Sequence, residues 1–318
     1  MTAMHSEALK TANDTATEAA IACRGVRIAG ERFTLGPLHC DIPQGFVTAI
    51  VGTNGSGKST LMRMLLGMEP IQAGEASVMG VRIIPGGDER YKSRIGFLAE
   101  LPNVYENPMT ADEKAKFASC WYPTWDWERY RRLMRQFECE GDVKLSKLSK
   151  GMRRKAELSI TLAHDPELLL LDEPSSGLDP FAWRKMLDEL QRYMEAGNRT
   201  LLIASHVTEE VRRLADYILF LDRGRFLGMY EKDRLFDSWR VVMVQQSGGG
   251  SEIESALRRT PGLQGIAEAG PGVYRLEIDE PDQGEHYVRS KGYQVLGIQR
   301  MELEDILSCL IRKEETRR

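Results

Sequence analysis

Gly52-Thr53-Asn54-Gly55-Ser56-Gly57-Lys58-Ser59-Thr60 is the stretch around which most of this chain must fold. Its spacing is G-x-x-x-x-G-K-[ST], the phosphate-binding loop. The apolar, β-branched run Phe46-Val47-Thr48-Ala49-Ile50-Val51 before it reads as a buried strand. Leu61, Met62, Met64, Leu65 and Leu66 after it read as a helix ending at Gly67. Strand, glycine loop, helix is the setting the motif requires. Its glycines let the backbone curl until its N–H groups face inward as an anion nest. The helix N-terminus adds partial positive charge there. Lys58 has the reach for outer phosphates, and the Ser59 hydroxyl suits Mg²⁺. A nucleotide is therefore expected at the loop, but the loop does not say what the nucleotide drives.

Composition bounds the rest. The chain has 318 residues, about two domains' worth, with 42% hydrophobic and 28% charged residues, as in a soluble globular protein. A net charge of only −4 argues against a nucleic-acid partner. No apolar run approaches the ~20 residues of a membrane span, and no signal peptide is visible. Cys23, Cys40, Cys120, Cys139 and Cys309 lack C-x-x-C spacing, which favours reduced thiols over disulfides or zinc.

Along the chain, residues 1–20 lack a sustained apolar stripe and read as a flexible tail. Residues 21–50 carry short β-like pieces broken by glycine and proline, suggesting antiparallel hairpins. Phe33 lies among them, equally suited to stacking on a base or to packing. A strand pair is expected around Val78-Met79-Gly80-Val81 and a strand over Ser93–Pro102 that stops at the proline. Residues 103–165 read as mainly helical, with Trp121, Tyr122, Trp125, Trp127 and Tyr130 expected in the core of a helical subdomain. Leu168-Leu169-Leu170-Leu171 suits a strand covered on both faces, delivering Asp172 and Glu173 at its carboxyl end. A helix over 181–196, a strand at Thr200–Ala204 ending in Ser205-His206, a helix over 209–215 and a strand over 217–221 follow. Asp222-Arg223-Gly224-Arg225 reads as a hairpin turn.

The pattern changes near Leu235. Gly248-Gly249-Gly250-Ser251 reads as a flexible loop. Strand, helix, strand, strand, helix, strand then follow between 241 and 299, and a final helix starts near Leu303. This order matches a small β-α-β-β-α-β, ferredoxin-like unit. Alternation through Tyr274-Arg275-Leu276-Glu277-Ile278 marks a half-buried strand.

Two further constellations carry chemistry. The Asp172-Glu173 pair suits nucleotide hydrolysis, with Asp172 serving the Mg²⁺ shell and Glu173 polarising the attacking water. His206, at another strand end, is placed to touch the γ-phosphate or orient that water. Leu148-Ser149-Lys150-Gly151-Met152 opens a helix with a serine N-cap, a second anion site. One chain needs only one phosphate loop, so this second site makes most sense over the nucleotide of a partner subunit.

In this order the motifs resemble the ATP-binding-cassette (ABC) family over roughly residues 21–235. They are the phosphate loop, the L-S-x-G-x signature at 148–152, the L-L-L-L-D-E strand, Ser176-Gly177-Leu178-Asp179 as the D-loop, and His206. Tyr122-Pro123-x-Trp125-Asp126 with the Ser-Lys-Gly-Met signature is similar to the YtrB-like, bacitracin-exporter-related branch of exporter ATPases. So is Leu303-Glu304-Asp305-Ile306 in a C-terminal extension.

The resemblance implies an α/β fold: a P-loop NTPase ABC cassette of mixed sheet core, antiparallel β subdomain and helical subdomain (about 103–165). The cassette would span 21–235 and a small α+β domain 236–318. ATP and Mg²⁺ are the implied cofactors. Glu173, His206 and Lys58 would be catalytic. Residues 52–60, Phe33, Ser149, Lys150, Gly151, Met152 and Asp179 would bind nucleotide, and Ser59, Glu100 and Asp172 the metal. A second copy or a paralogous ATPase would pair head to tail, with separate transmembrane permease subunits, on the inner face of the cell membrane. Three departures stand out: Glu100 in place of the usual Q-loop glutamine, Lys150 and Met152 in place of glycine and glutamine, and no evident base-stacking aromatic beyond Phe33. The rival readings are a soluble ABC-type ATPase with a non-membrane partner and a non-hydrolysing regulatory module. Intact Asp172, Glu173 and His206 weigh against the second.

Overall fold

A computed structural model of the chain describes residues 18–30, 33–245 and 253–316. The expected tail over 1–20 lies mostly outside them, and the part that is described already enters the first strand. The expected Gly-rich loop at 248–251 also lies outside the described residues. Two compact units are present, Met1–Phe226 and Leu227–Arg318.

The first unit opens with β1 (Ala19–Ala29), β2 (Thr34–Pro43), β3 (Val47–Gly52) and α1 (Lys58–Leu65). Next come β4 (Ala73–Val78), β5 (Val81–Arg82) and β6 (Ile95–Leu98), then α2 (Ala111–Ser119), α3 (Trp127–Gln136) and α4 (Lys150–Ala163). It continues with β7 (Leu168–Asp172), α5 (Pro180–Glu195), β8 (Thr200–Ala204), α6 (Thr208–Leu214) and β9 (Tyr217–Asp222). Strands β2-β1-β4-β5 form the antiparallel sheet expected from the hairpin-like segment. Five strands of the six-stranded central sheet run β9-β3-β8-β7-β6, and the four pairings among them are all parallel. Both of its faces are covered, so its strands are continuous apolar runs rather than alternating ones. All five residues of β7 and of β8 are buried. Parallel strands put all their carboxyl ends on one rim. There the loops after β3, β6, β7 and β8 converge, as ligand sites in open α/β sheets do.

Between β6 and β7 the chain builds the helical layer. Ala111 and Ala115 of α2, Tyr130 and Met134 of α3, and Ala156, Ile160 and Ala163 of α4 form its core. Small residues on α2 and α4 let the helices approach. The α2 start is set by a capping box of Thr110 and Glu113, that of α3 by Asp126, and that of α4 by Ser149, whose hydroxyl accepts from the Met152 N–H at 3.2 Å. Trp125, Trp127 and Tyr130 meet edge-on or tilted, with centroids 5.4–6.2 Å apart, and Tyr122 stacks on His164 at 3.8 Å. Trp121 and Trp127 depart from the expectation. Trp127 is 37% exposed; Trp121 is 66% exposed and pairs with Phe117 on the surface. The reason is helical phase: α2 buries its Ala111–Ala115 stripe, and Phe117 points elsewhere and takes Trp121 with it.

β10 (Arg225–Glu231) carries the chain across the boundary between the units, ahead of the change expected at Leu235. The turn before it has Arg223 and Gly224 at φ 44° and 78°, the backbone of a primed hairpin turn. The second unit holds α7 (Lys232–Ser238), β11 (Arg240–Gln245), α8 (Ile253–Leu257), β12 (Leu263–Gly270), β13 (Val273–Ile278), α9 (Pro281–Ser290), β14 (Gln294–Arg300) and α10 (Leu303–Thr316). The order β12-β13-β11-β14, antiparallel throughout, is that of a ferredoxin-like sheet. Val242, Val244, Leu276 and Ile278 face a core completed by Leu257 and Val288. β13 is buried more fully than its alternation suggested. Glu277, on its other face, is only 8% exposed because α10 supplies Cys309 and Arg312 against it. Among the described residues no helix is long and apolar enough to cross a membrane.

Candidate functional site

The loop after β3 curls into α1 through Gly57, whose φ of 108° an L side chain rarely adopts and whose missing Cβ would meet Leu35 at 2.9 Å. Among the described residues no side chain caps α1. Its first-turn N–H groups are therefore left for an anion at the positive end of the helix. The loop is also tied to the neighbouring strand. Thr53 Oγ1 donates to Asp222 Oδ1 at 2.9 Å, and the Gly224 N–H donates to Ser56 O at 3.0 Å. Lys58 is buried, and its Nζ donates to the Gly52 and Thr53 carbonyls at 3.0 and 3.3 Å. The ammonium is thus held along the loop rather than free in water.

β7 brings Asp172 and Glu173 to the same rim, both buried. Burial raises the Asp172 carboxyl above its usual range. The Ser59 hydroxyl bonded to it opposes that rise, the Glu100 charge adds to it, and Lys58 and Arg154 oppose it. Asp172 Oδ1 has no hydrogen-bond partner among the described residues. An orphaned buried carboxylate oxygen beside a hydroxyl fits Mg²⁺, which keeps most of its waters and binds through one or two carboxylates plus phosphates.

Glu173 stands at φ 48°, in left-handed backbone, with its N–H donating to Ala204 O at 2.9 Å. Its Oε2 lies 2.6 Å from His206 Nδ1. Burial raises the Glu173 carboxyl, and the charge and hydrogen bond of His206 pull it back down. The imidazole itself is 67% exposed. Its approach is set by Ser205, whose Oγ donates to Glu210 Oε2 at 2.6 Å and accepts from the Val207 N–H at 3.0 Å.

These groups line one cleft of about 410 Å³. Of the residues expected from sequence, Phe33, Asn54, Gly55, Ser56, Gly57, Lys58, Ser59, Thr60, Glu100, Asp172, Glu173 and His206 all border it. Gly52 and Thr53 stand behind the wall as the acceptors for Lys58. Phe33 lies against the loop, near the position a Gly57 side chain would take.

Ser149, Lys150, Gly151, Met152 and Asp179 do not line this cleft. Lys150 Nζ donates to Ser176 Oγ at 2.6 Å, so it neither faces solvent alone nor reaches the chain's own phosphate loop. Gly151 passes so close to the D-loop that a Cβ there would sit 2.4 Å from Gly177 O. Asp179 caps α5, accepting from the Phe181 and Ala182 N–H groups at 2.9 and 3.0 Å, and these bonds hold its carboxyl below the usual range. Sequence reading missed Asp222, taken for a turn residue, and Arg154. The only sequence signal for the latter is the Arg153-Arg154 doublet following the signature.

A floor of backbone N–H groups beneath two buried carboxylates, at the rim of a parallel sheet, is what a P-loop nucleotide-binding cassette presents. Comparison with known proteins carries this further. The family model described as "ABC transporter" matches residues 35–176. The Nod factor export ATP-binding protein I of Rhizobium meliloti (strain 1021) is 31% identical over 259 residues, 80% of this chain and 76% of that protein. Its namesake from Mesorhizobium japonicum is 29% identical over 95% of this chain and 89% of its own length. A solved ATP-binding subunit of an ABC transporter superposes with a TM-score of 0.62 at 25% identity, covering 69% of this chain and 92% of that one. A dimeric ATP-binding cassette with ADP and Pi bound shares the fold, with a TM-score of 0.59 at 22% identity over 66% of this chain and 98% of its own. The chain belongs to the ABC transporter family, as one of its ATP-binding, ATP-hydrolysing subunits.

Proposed function

We propose that this chain powers an exporter, hydrolysing ATP in a head-to-tail dimer that drives separate membrane subunits from the inner face of the membrane. The observation that carries the reading is the Glu173–His206 pair, 2.6 Å apart, at the edge of the cleft floored by the phosphate loop. The cassette is read as residues 21–235, with its helical subdomain over about 103–165, and the C-terminal domain as 236–318.

The residues divide the work by position. Backbone N–H groups of 54–60 and Lys58 bind the β- and γ-phosphates. Ser59 and Asp172, with Glu100 beside them, would hold Mg²⁺, which supplies charge neutralisation on the phosphate oxygens when bound. Glu173 accepts a proton from the attacking water, and His206 orients the Glu173 carboxylate through Nδ1. Phe33 is placed to meet the base. Burial makes the Glu173 carboxylate a stronger base than one in water.

The dimer is supported by what the cleft lacks. Ser149–Met152 and Asp179 lie away from their own chain's loop, with the α4 N-terminus available to a second copy's nucleotide. A related cassette is dimeric. The exporter role and the membrane partners rest on relatives named for Nod factor export. The YtrB-like branch rests on Tyr122–Asp126, the signature and Leu303-Glu304-Asp305-Ile306.

Substitution Glu173→Gln tests the reading. Turnover should fall by roughly 10²–10⁴-fold, the usual worth of a general base, while ATP still binds and the closed dimer accumulates on a sizing column. Turnover at the native rate would remove Glu173 from this role.

A further inference from the structure

Arg154 is a buried cation with an unusual set of partners. It lies on α4, 4% exposed, and among the described residues its hydrogen bonds all go to backbone carbonyls. Nε donates to Pro174 O at 3.0 Å, Nη2 to Glu173 O at 2.5 Å and also to Asp172 O, and Nη1 to Ala99 O. Taking a guanidinium out of water without a bonded carboxylate is costly. What the position gains is geometry. A planar fork of five donors can bind several converging carbonyls at once, and a lysine cannot.

Those carbonyls belong to the two segments that carry the candidate chemistry. Three sit on Asp172, Glu173 and Pro174, the end of β7. Glu173 is there in left-handed backbone, a conformation that persists only where its surroundings over-determine it. Its N–H is fixed by Ala204 O and its carbonyl by Arg154, so the peptide groups on both sides of the left-handed residue are held. The fourth carbonyl, Ala99 O, immediately precedes Glu100. Arg153, the preceding residue on α4, donates from Nη2 to Asn103 O at 3.0 Å and from Nη1 to Asn107 Oδ1 at 2.5 Å. The segment containing Glu100 is thereby tied to α4 at both ends. The same helix begins at Ser149, in the signature.

We infer that Arg154 is a positioning residue for hydrolysis. It locks the backbone that aims Glu173 into the cleft and, with Arg153, links the signature helix mechanically to both Glu173 and Glu100. This rests on Glu173 being the base. Movement of the signature against a second copy's nucleotide would then be felt in the same chain's own cleft through one rigid helix, without a contact between the two nucleotides.

The test compares ATP affinity and turnover, per folded molecule, in Arg154→Lys, Glu173→Gln and the double variant, with Leu133→Ala in the buried helical layer as a control for general destabilisation. Arg154→Lys should retain ATP affinity within about threefold and lose about 100-fold in turnover, the effect of a base displaced by about an ångström. Leu133→Ala should melt earlier but turn over normally once folded. In the double variant the Arg154→Lys loss should vanish, leaving turnover within about threefold of Glu173→Gln alone, because a misaimed base costs nothing once the base is gone. Native turnover in Arg154→Lys, or losses that multiply in the double variant, would overturn the inference. Native turnover in Glu173→Gln would instead remove the reading beneath it. If the lysine variant does not fold, Arg154→Gln, which removes the buried charge along with the fork, enters the same comparison with the same outcomes.

Discussion

Mild acid should destabilise this protein through His164. The residue ends α4, is 2% exposed, and lies under the ring of Tyr122 at 3.8 Å. Burial depresses its imidazole from 6.5 to about 4. The neighbouring Asp165 pulls it upward, and Arg129 adds to the depression. In the unfolded chain the ring charges as the pH falls through 6.5, whereas in the folded chain it stays neutral until about 4. Protonation between those values therefore favours the unfolded state, and stability present above 6.5 is lost as the pH falls toward 4. At about 1.4 kcal/mol per pH unit the full gap is worth roughly 3 kcal/mol, of which about 2 kcal/mol is lost by pH 5. His164→Phe keeps a ring for Tyr122 to stack on and removes the titration. The buried Asp172 and Glu173 carboxyls, raised in the folded state, act with the opposite sign but equally in both proteins, so they cancel in the difference. Urea unfolding at pH 7 and pH 5 should show the native protein losing about 2 kcal/mol more than the variant. Parallel losses, or a His164 imidazole that titrates near 6.5 by NMR, would show the ring to be solvated and refute the argument.

Lys58→Ala should weaken ATP binding by about 10- to 100-fold, the worth of a charge-assisted hydrogen bond; equilibrium dialysis showing native affinity would contradict the loop's role. Because burial raises Glu173, the acid limb of the turnover–pH profile should lie above the ordinary glutamate value of 4.5, and a limb below it would mean a solvated base. The same burial predicts that Glu173→Gln melts at a higher temperature than the native protein without nucleotide, since a carboxylate held in an unfavourable setting has been neutralised. Glu100→Gln removes a negative charge felt by Asp172, and the Mg²⁺ concentration for half-maximal turnover should rise by about tenfold. An unchanged Mg²⁺ requirement would exclude Glu100 from the metal's surroundings.

Much of the cassette is written locally. The strand before the phosphate loop, the four-leucine run ending in Asp172 and Glu173, and Thr200–Ala204 ahead of His206 are contiguous apolar stretches bounded by turn residues. Burial on both faces of a parallel sheet demands that pattern, so each could be placed from the chain alone. The order of elements in the second unit was legible for the same reason. Near neighbours in sequence determine the periodicity of an element and the chemistry at its ends.

Contacts between distant segments were not legible. The sequence does not say that β9 lies beside β3, so Asp222 looked like a turn residue until the sheet order brought it to Thr53. Trp121 looked like core until the phase of α2 turned it outward, and Glu277 looked solvent-facing until α10 covered it. Asp179 became a helix cap, and Arg154 a tie between β6 and β7. A residue's type and its near neighbours establish what it can do. Which of those capacities is used depends on the groups that folding brings within about 3 Å of it, a distance at which hydrogen bonds form and burial shifts charge.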